Sequence, residues 1–156
     1  MAYNNATICL NGHVVSKYKA NAQNHCSKCG KETYSVCPKC QAPIRGLVKV
    51  EGMLVLGDRP YDIPYYCYEC GEPYPWTQRI LDNAVELLSL DEDLDDSSKA
   101  LIKNAIPELL IDTPTTPVAI AKYKKGISMS GQMVRDTMRQ LLIDVVCESA
   151  KKILFS

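Results

Sequence analysis

From Trp76 onward, apolar side chains recur at the three- and four-residue spacing of a helix face. Trp76, Ile80, Leu81, Ala84, Leu87 and Leu88 share one face of a helix that opens at WTQRIL. A second helix covers SSKALIKNAIPELLI (97–111), opened by Ser97 or Ser98 and bent or broken near Pro107. Thr116 reads as an N-cap with Pro117 at the first helical position, and VAIAKYKK then ends at Gly126. A long amphipathic helix over 130–155 closes the chain, with Val134, Met138, Leu141, Leu142, Val145, Ser149 and Ile153 facing one way. Between the first two helices, DEDLDD (91–96) reads as a solvated loop without the glycine and terminal glutamate of a calcium loop.

The first 75 residues have no such period. They hold six of the eight glycines and read as turns and short strands, among them HVVSKY and APIRGLVKV. GLVKVEGMLVL (46–56) predicts a hairpin turning at Glu51-Gly52. A stretch this rich in turns buries little apolar surface and needs a staple. The fold class is therefore α+β. A pair of zinc ribbons over 1–75, made of short hairpins and knuckles, precedes a bundle of about four helices over 76–156.

Cysteine spacing identifies the staple. Seven of the eight cysteines lie in the first 70 residues, six of them as Cys-x-x-Cys pairs, and Cys147 stands apart. No secretory leader pattern opens the chain, so the expected setting is a reducing cytoplasm, where such thiols bind metal rather than form disulfides. Four half-sites are visible: Cys9 with His13, Cys26 with Cys29, Cys37 with Cys40, and Cys67 with Cys70. Their eight donors make two closed tetrahedral sites, one of three cysteines and a histidine and one of four cysteines. They so predict two structural zinc ions. A rubredoxin-like iron or an iron–sulfur cluster is the metal alternative, and paired knuckles suit the cluster less well. His25, adjacent to Cys26, points away from its neighbour and is a bystander. Asn11-Gly12 gives His13 the tight turn it needs.

Four half-sites pair in three ways: nested, cross-braced or sequential. Sequential pairing is favoured because the chain reads as a degenerate repeat. Each unit opens with a knuckle, continues as a strand and closes with Cys-x-x-Cys-Gly, as CSKCG and CYECG. The seven residues GKETYSV then form a joint between two ribbons.

ICLNGHVVS, HCSKCGKET, CPKCQAPIRG and YYCYECGEPYPWT, with the later DTPTTPVAIAKYKKGIS and SAKKIL, resemble an uncharacterised bacterial family, domain of unknown function 2321. The resemblance spans nearly the whole chain and implies a bacterial cytoplasmic zinc-ribbon protein. It brings no reaction or partner.

Charge and motif content narrow the function classes. The formal net charge is zero, from 18 basic and 18 acidic side chains. Residues 1–75 carry 8 basic against 6 acidic groups. Lys17, Lys19, Lys28, Lys31, Lys39, Arg45 and Lys49 interleave there with Tyr18 and Tyr34, as a nucleic-acid surface would require. A net of +2 suits a solvated surface equally well. No nucleophile–base set, phosphate loop or carboxylate pair with a nearby histidine is present, so no enzyme is expected. Lys122, Lys124 and Lys125 could meet anionic headgroups, although such a run is usually a solvated face. No stretch is long and apolar enough for a transmembrane segment. The reading is a non-catalytic protein-interaction or adaptor module, bound to a protein partner or to itself, with nucleic-acid binding as the alternative.

Overall fold

The computed structural model of the protein describes residues 2–20, 23–50 and 59–155. They form five short strands followed by five helices, an α+β fold, in two compact units, Met1–Arg79 and Ile80–Ser156. No helix among the described residues is long and apolar enough to cross a membrane.

In the first unit the strands are β1 (Tyr3–Asn5), β2 (Thr7–Cys9), β3 (Val14–Ser16), β4 (Thr33–Tyr34) and β5 (Arg45–Val48). One antiparallel sheet has the order β3-β2-β4 and a second pairs β1 with β5. The expected turn at Glu51-Gly52 and the strand after it lie outside the described residues. A small core of Ala6, Ile8, Ile44, Tyr74 and Trp76 is closed by Cys37 and Cys67. The Tyr74 and Trp76 rings stack with centroids 4.8 Å apart. The Trp76 indole N–H donates to the Pro64 carbonyl at 2.9 Å, and the Thr77 hydroxyl to that of Tyr65 at 2.7 Å. Trp76 thus keeps helical spacing with Ile80 and Ala84 but is buried in the ribbon core.

The helices are α1 (Pro75–Ser89), α2 (Asp96–Leu109), α3 (Thr116–Ile127), α4 (Gln132–Leu142) and α5 (Glu148–Leu154). The second unit's core takes Ala84, Leu87 and Leu88 from α1, Ile102, Ile106 and Leu109 from α2, and Ile120 and Tyr123 from α3. Val134, Met138 and Leu142 come from α4, and Ala150 from α5.

Several local expectations are corrected here. The cap of α2 is Asp95, whose carboxylate accepts from the Ser98 N–H at 2.7 Å, and the helix runs through Pro107. The N-cap position of α3 is Thr115, and Thr116 is its first, buried residue. Gly126 does not end α3 but lies buried inside it, where a Cβ would stand 2.5 Å from Cγ1 of Ile102. The glycine is a contact point between α2 and α3. The single long final helix is two helices, which raises the count from about four to five. The break falls at 143–147, where Cys147 is extended and its N–H donates to the Leu109 carbonyl at 2.9 Å. Cys147 is therefore the N-cap of α5. Beyond the break the buried face shifts to Val146 and Ala150, leaving Ile153 54% exposed.

DEDLDD is also less solvated than its composition implies, because Asp91 is buried. Its carboxylate accepts from the N–H groups of Asp93, Leu94 and Gly131 at 2.7, 3.0 and 2.8 Å. Burial pushes this carboxyl up, but those N–H groups, led by Gly131 and helped by the charge of Lys99, pull it further down, to a net value below the usual carboxylate range.

Two tests follow from the helical unit. Gly126→Ala forces a methyl group into Ile102. A loss of about 1–2 kcal/mol is expected in denaturant unfolding, because overpacking outweighs the gain in helix propensity. Asp91 is depressed in the folded state, so its contribution is fully present above the ordinary carboxylate pKa and is lost as pH falls through the lower folded value. The Tm of Asp91→Asn should lie below that of the parent chain at pH 7, and the gap should close in strong acid. An equal Tm at pH 7 would count against this capping role.

Candidate metal centres

The three Cys-x-x-Cys segments share one backbone conformation. In each, the N–H of the first cysteine bonds the carbonyl five residues on: Cys26 to Lys31, Cys37 to Ala42, Cys67 to Glu72, at 2.7–2.9 Å. The first cysteine's carbonyl accepts from the residue four on: Gly30, Gln41 and Gly71, at 2.8–2.9 Å. The residue before each knuckle bridges the residue three beyond its second cysteine, as His25 with Glu32, Val36 with Pro43, and Tyr66 with Pro73. The residue that follows the second cysteine is left-handed in all three, with φ of 74° at Gly30, 66° at Gln41 and 78° at Gly71. Turning the chain there lets backbone N–H groups face sulfur. Lys28 N–H donates to Cys26 Sγ and Glu69 N–H to Cys67 Sγ, both at 3.4 Å.

The fourth half-site is a tighter variant. Gly12 at φ 85° precedes its histidine, and the Cys9 N–H bonds the His13 carbonyl at 3.0 Å. Asn11 and His13 N–H groups donate to Cys9 Sγ at 3.3 and 3.4 Å. The open face of Gly12 meets Ile63 and Trp76, so the ribbon core supports this knuckle directly.

These segments bring the eight donors into two groups of four. Cys9, His13, Cys26 and Cys29 form one, and Cys37, Cys40, Cys67 and Cys70 the other, each with its donor atoms within 4.8 Å of one another. The pairing is sequential. His25 belongs to neither group. It is exposed and its backbone pairs with Glu32. The joint between the groups is partly strand: Thr33 and Tyr34 pair with Cys9 and Ile8 of β2. Ser35 then ties the segment to β1 and β2, accepting from Asn5 Nδ2 through its carbonyl at 2.8 Å and sharing a hydroxyl bond with Thr7 at 2.6 Å.

The spacing within each group decides what it can hold. A tetrahedral zinc with Zn–S of about 2.3 Å requires sulfur–sulfur edges of about 3.8 Å, and sulfur–nitrogen edges of about 3.6 Å. The structure has Cys9 and Cys29 sulfurs 3.7 Å apart and Cys26 Sγ 3.6 Å from His13 Nδ1. The second group has Cys37–Cys70 at 3.8 Å and Cys40–Cys67 at 3.6 Å. Disulfides need about 2.05 Å, and all eight cysteines are free thiols. A cluster of several irons would spread its sulfurs beyond one tetrahedral edge, so each group fits a single tetrahedral metal ion.

Electrostatics favour a divalent cation in each group. The Lys31 N–H leads in pulling the Cys29 thiol down to about 6, while burial raises Cys9. In the second group, burial pushes Cys67 up, but N–H groups of Cys70 and Glu69 and the neighbouring Cys40 bring it down to about 6. Ala42 N–H pulls Cys40 down, yet burial and the adjoining thiols push it up to about 12. Within each group, ionising one sulfur suppresses another, and a divalent cation removes that conflict. The Tyr74 hydroxyl is buried with no hydrogen-bond partner of good geometry. Burial, then the proximity of Cys67 and Cys37, hold its phenol above the ordinary range, and a metal-bound thiolate offers it an acceptor.

Gln41 stands where the other two knuckles have glycine, and its side-chain amide bond to the Pro38 carbonyl at 3.3 Å is a contact that a glycine there would lack. Gln41→Gly should raise the stability of the metal-loaded ribbon unit by about 0.5–1 kcal/mol. Gln41→Val should lower it by more, as read by thermal melts. A destabilised Gly variant would show that the amide bond outweighs the strain.

No curated protein and no solved structure matches this chain. Its family match runs over residues 2–154, so the half-sites, the PYPWT segment and the helical unit all fall inside it. The chain belongs to the family described as an uncharacterized protein conserved in bacteria, DUF2321.

Proposed function

We propose that the protein is a non-catalytic zinc protein, with two structural zinc ions that build the ribbon unit into a rigid surface for binding another protein. The closed donor count supports this reading: eight donors gather in two groups of four, and an ion held by all four would have no open position for water or substrate. Zinc is favoured over a rubredoxin-like iron by the imidazole in the first group, since three thiolates with one imidazole are a common structural zinc set. Eight free thiols suit a reducing cytoplasm.

The interaction role draws on the helical unit as well. Val118, Met129 and Met133 are each more than half exposed there, and methionine adapts readily to a partner surface. A partner chain or a second copy could cover them. Nucleic-acid binding has weaker support, because several ribbon cations already have partners within the fold. The Arg45 guanidinium lies over the rings of Tyr3 and Tyr68, at 4.5 and 3.9 Å from their centroids. Lys39 pairs with Glu72 at 3.7 Å, and the Lys17 ammonium donates to the Arg59 carbonyl.

Metal analysis of protein grown without added metal should give two zinc ions per chain. Chelation should remove the ribbon unit's strand signal and leave helical ellipticity largely intact. Cys26→Ser should cost one equivalent and Cys67→Ser the other. Equal thermal stability with and without metal would refute the structural role. An ion count of one would break the two-site reading.

A further inference from the structure

The helical unit contains a cleft lined by none of the eight metal-donor residues. It lies between the C-terminal end of α3, one side of α4 from Arg135 to Arg139, and the end of α5, with a volume of about 400 Å³. That is within the range of about 300–1,000 Å³ typical of small-molecule sites. Lys124, Arg135 and Arg139 line it together with Asp136, Tyr123 and Phe155.

Both guanidinium groups are held in place by backbone carbonyls. One terminal nitrogen of Arg135 donates to the carbonyls of Ser128 and Ser130 at 3.2 and 3.0 Å, while its buried Nε has no partner. Arg139 donates from one terminal nitrogen to the Phe155 carbonyl at 3.2 Å. Each fork therefore keeps further N–H donors, and its orientation is fixed before any ligand arrives. Asp136, the one carboxylate among the described lining residues, already accepts from the Gln132 amide at 2.8 Å. Among the described lining residues, three cations against one anion leave a formal surplus of two positive charges. Beside the charged groups lies the half-buried ring of Phe155, which meets the buried Tyr123 ring edge to face at 6.4 Å and is the aromatic side chain left for a ligand to touch.

We propose that this cleft binds a phosphomonoester carried on an aromatic group. The phosphate dianion matches the surplus of two charges and the donor forks, and the ring system matches the half-buried Phe155. A nucleoside monophosphate and an aryl phosphate share this chemistry. A purely structural account makes Arg135 a brace for the carbonyls that end α3 and Lys124 a complement to that helix's C-terminal dipole, and leaves the spare donors of Arg139 without a use.

The test is calorimetric titration of the full, metal-loaded chain with AMP, phenyl phosphate, inorganic phosphate and adenosine. At least one ester should bind at least about tenfold more tightly than inorganic phosphate, equivalent to about 1.4 kcal/mol, and adenosine should not bind. AMP alone points to a nucleotide, and both esters to aryl phosphates in general. The double variant Lys124→Gln, Arg139→Gln should lose at least about tenfold in affinity with a smaller drop in Tm than Arg135→Gln, since it removes one exposed hydrogen bond rather than two. Arg135→Gln should lose affinity and Tm together, and Lys103→Gln on α2 should change neither. The proposal is overturned if neither ester binds, if inorganic phosphate binds as tightly as both, or if the double variant binds like the parent.

Discussion

Seven thiols and one imidazole gather in two groups of four, with donor atoms within 4.8 Å of one another, in a unit whose apolar core among the described residues is a handful of side chains. Four such donors repel one another once ionised and resist burial while they remain charged, so their convergence has to be enforced by the backbone. The knuckles supply that enforcement. Paired main-chain bonds clamp each Cys-x-x-Cys segment, and N–H groups aim at sulfur before any cation is considered. The remaining strands are two to four residues long and have little stability of their own.

The PYPWT segment has a physical role that spacing alone does not reveal. Tyr74 fills the space beside Cys67 and Cys37, Trp76 backs Gly12 of the first knuckle, and Thr77 anchors the start of α1 to Tyr65. One short run of sequence thus touches the surroundings of both donor groups. The core and the donor sets form one construction, in which aromatic packing sets the positions that the knuckles occupy.

The eight side chains that the structure groups are those that the spacing singles out, because a two-residue gap between cysteines has a local geometric meaning. The sequential pairing is legible for a related reason: the repeated endings mark equivalent turns, although the third ends in Gln41 rather than glycine. Features that depend on distant partners are not legible. Gly126 resembles a helix stop until Ile102 is placed against it, and Asp91 resembles a solvated acid until the Gly131 N–H arrives forty positions later. The break between α4 and α5 is hidden because Val145, Ser149 and Ile153 keep a helical period that the chain does not use. The Leu109 carbonyl captures the Cys147 N–H instead.

The two donor groups also differ in how they meet solvent. In the first, Cys9 and Cys26 are buried and Cys29 is half-covered, whereas in the second Cys70 is exposed beside the buried Cys37 and Cys67. Metal transfer between proteins proceeds by stepwise ligand substitution, one sulfur yielding to an incoming thiol at a time. An accessible Cys70 gives such an exchange a first foothold that the other group lacks. An ion held in the second group would therefore be the easier one for an incoming thiol to reach.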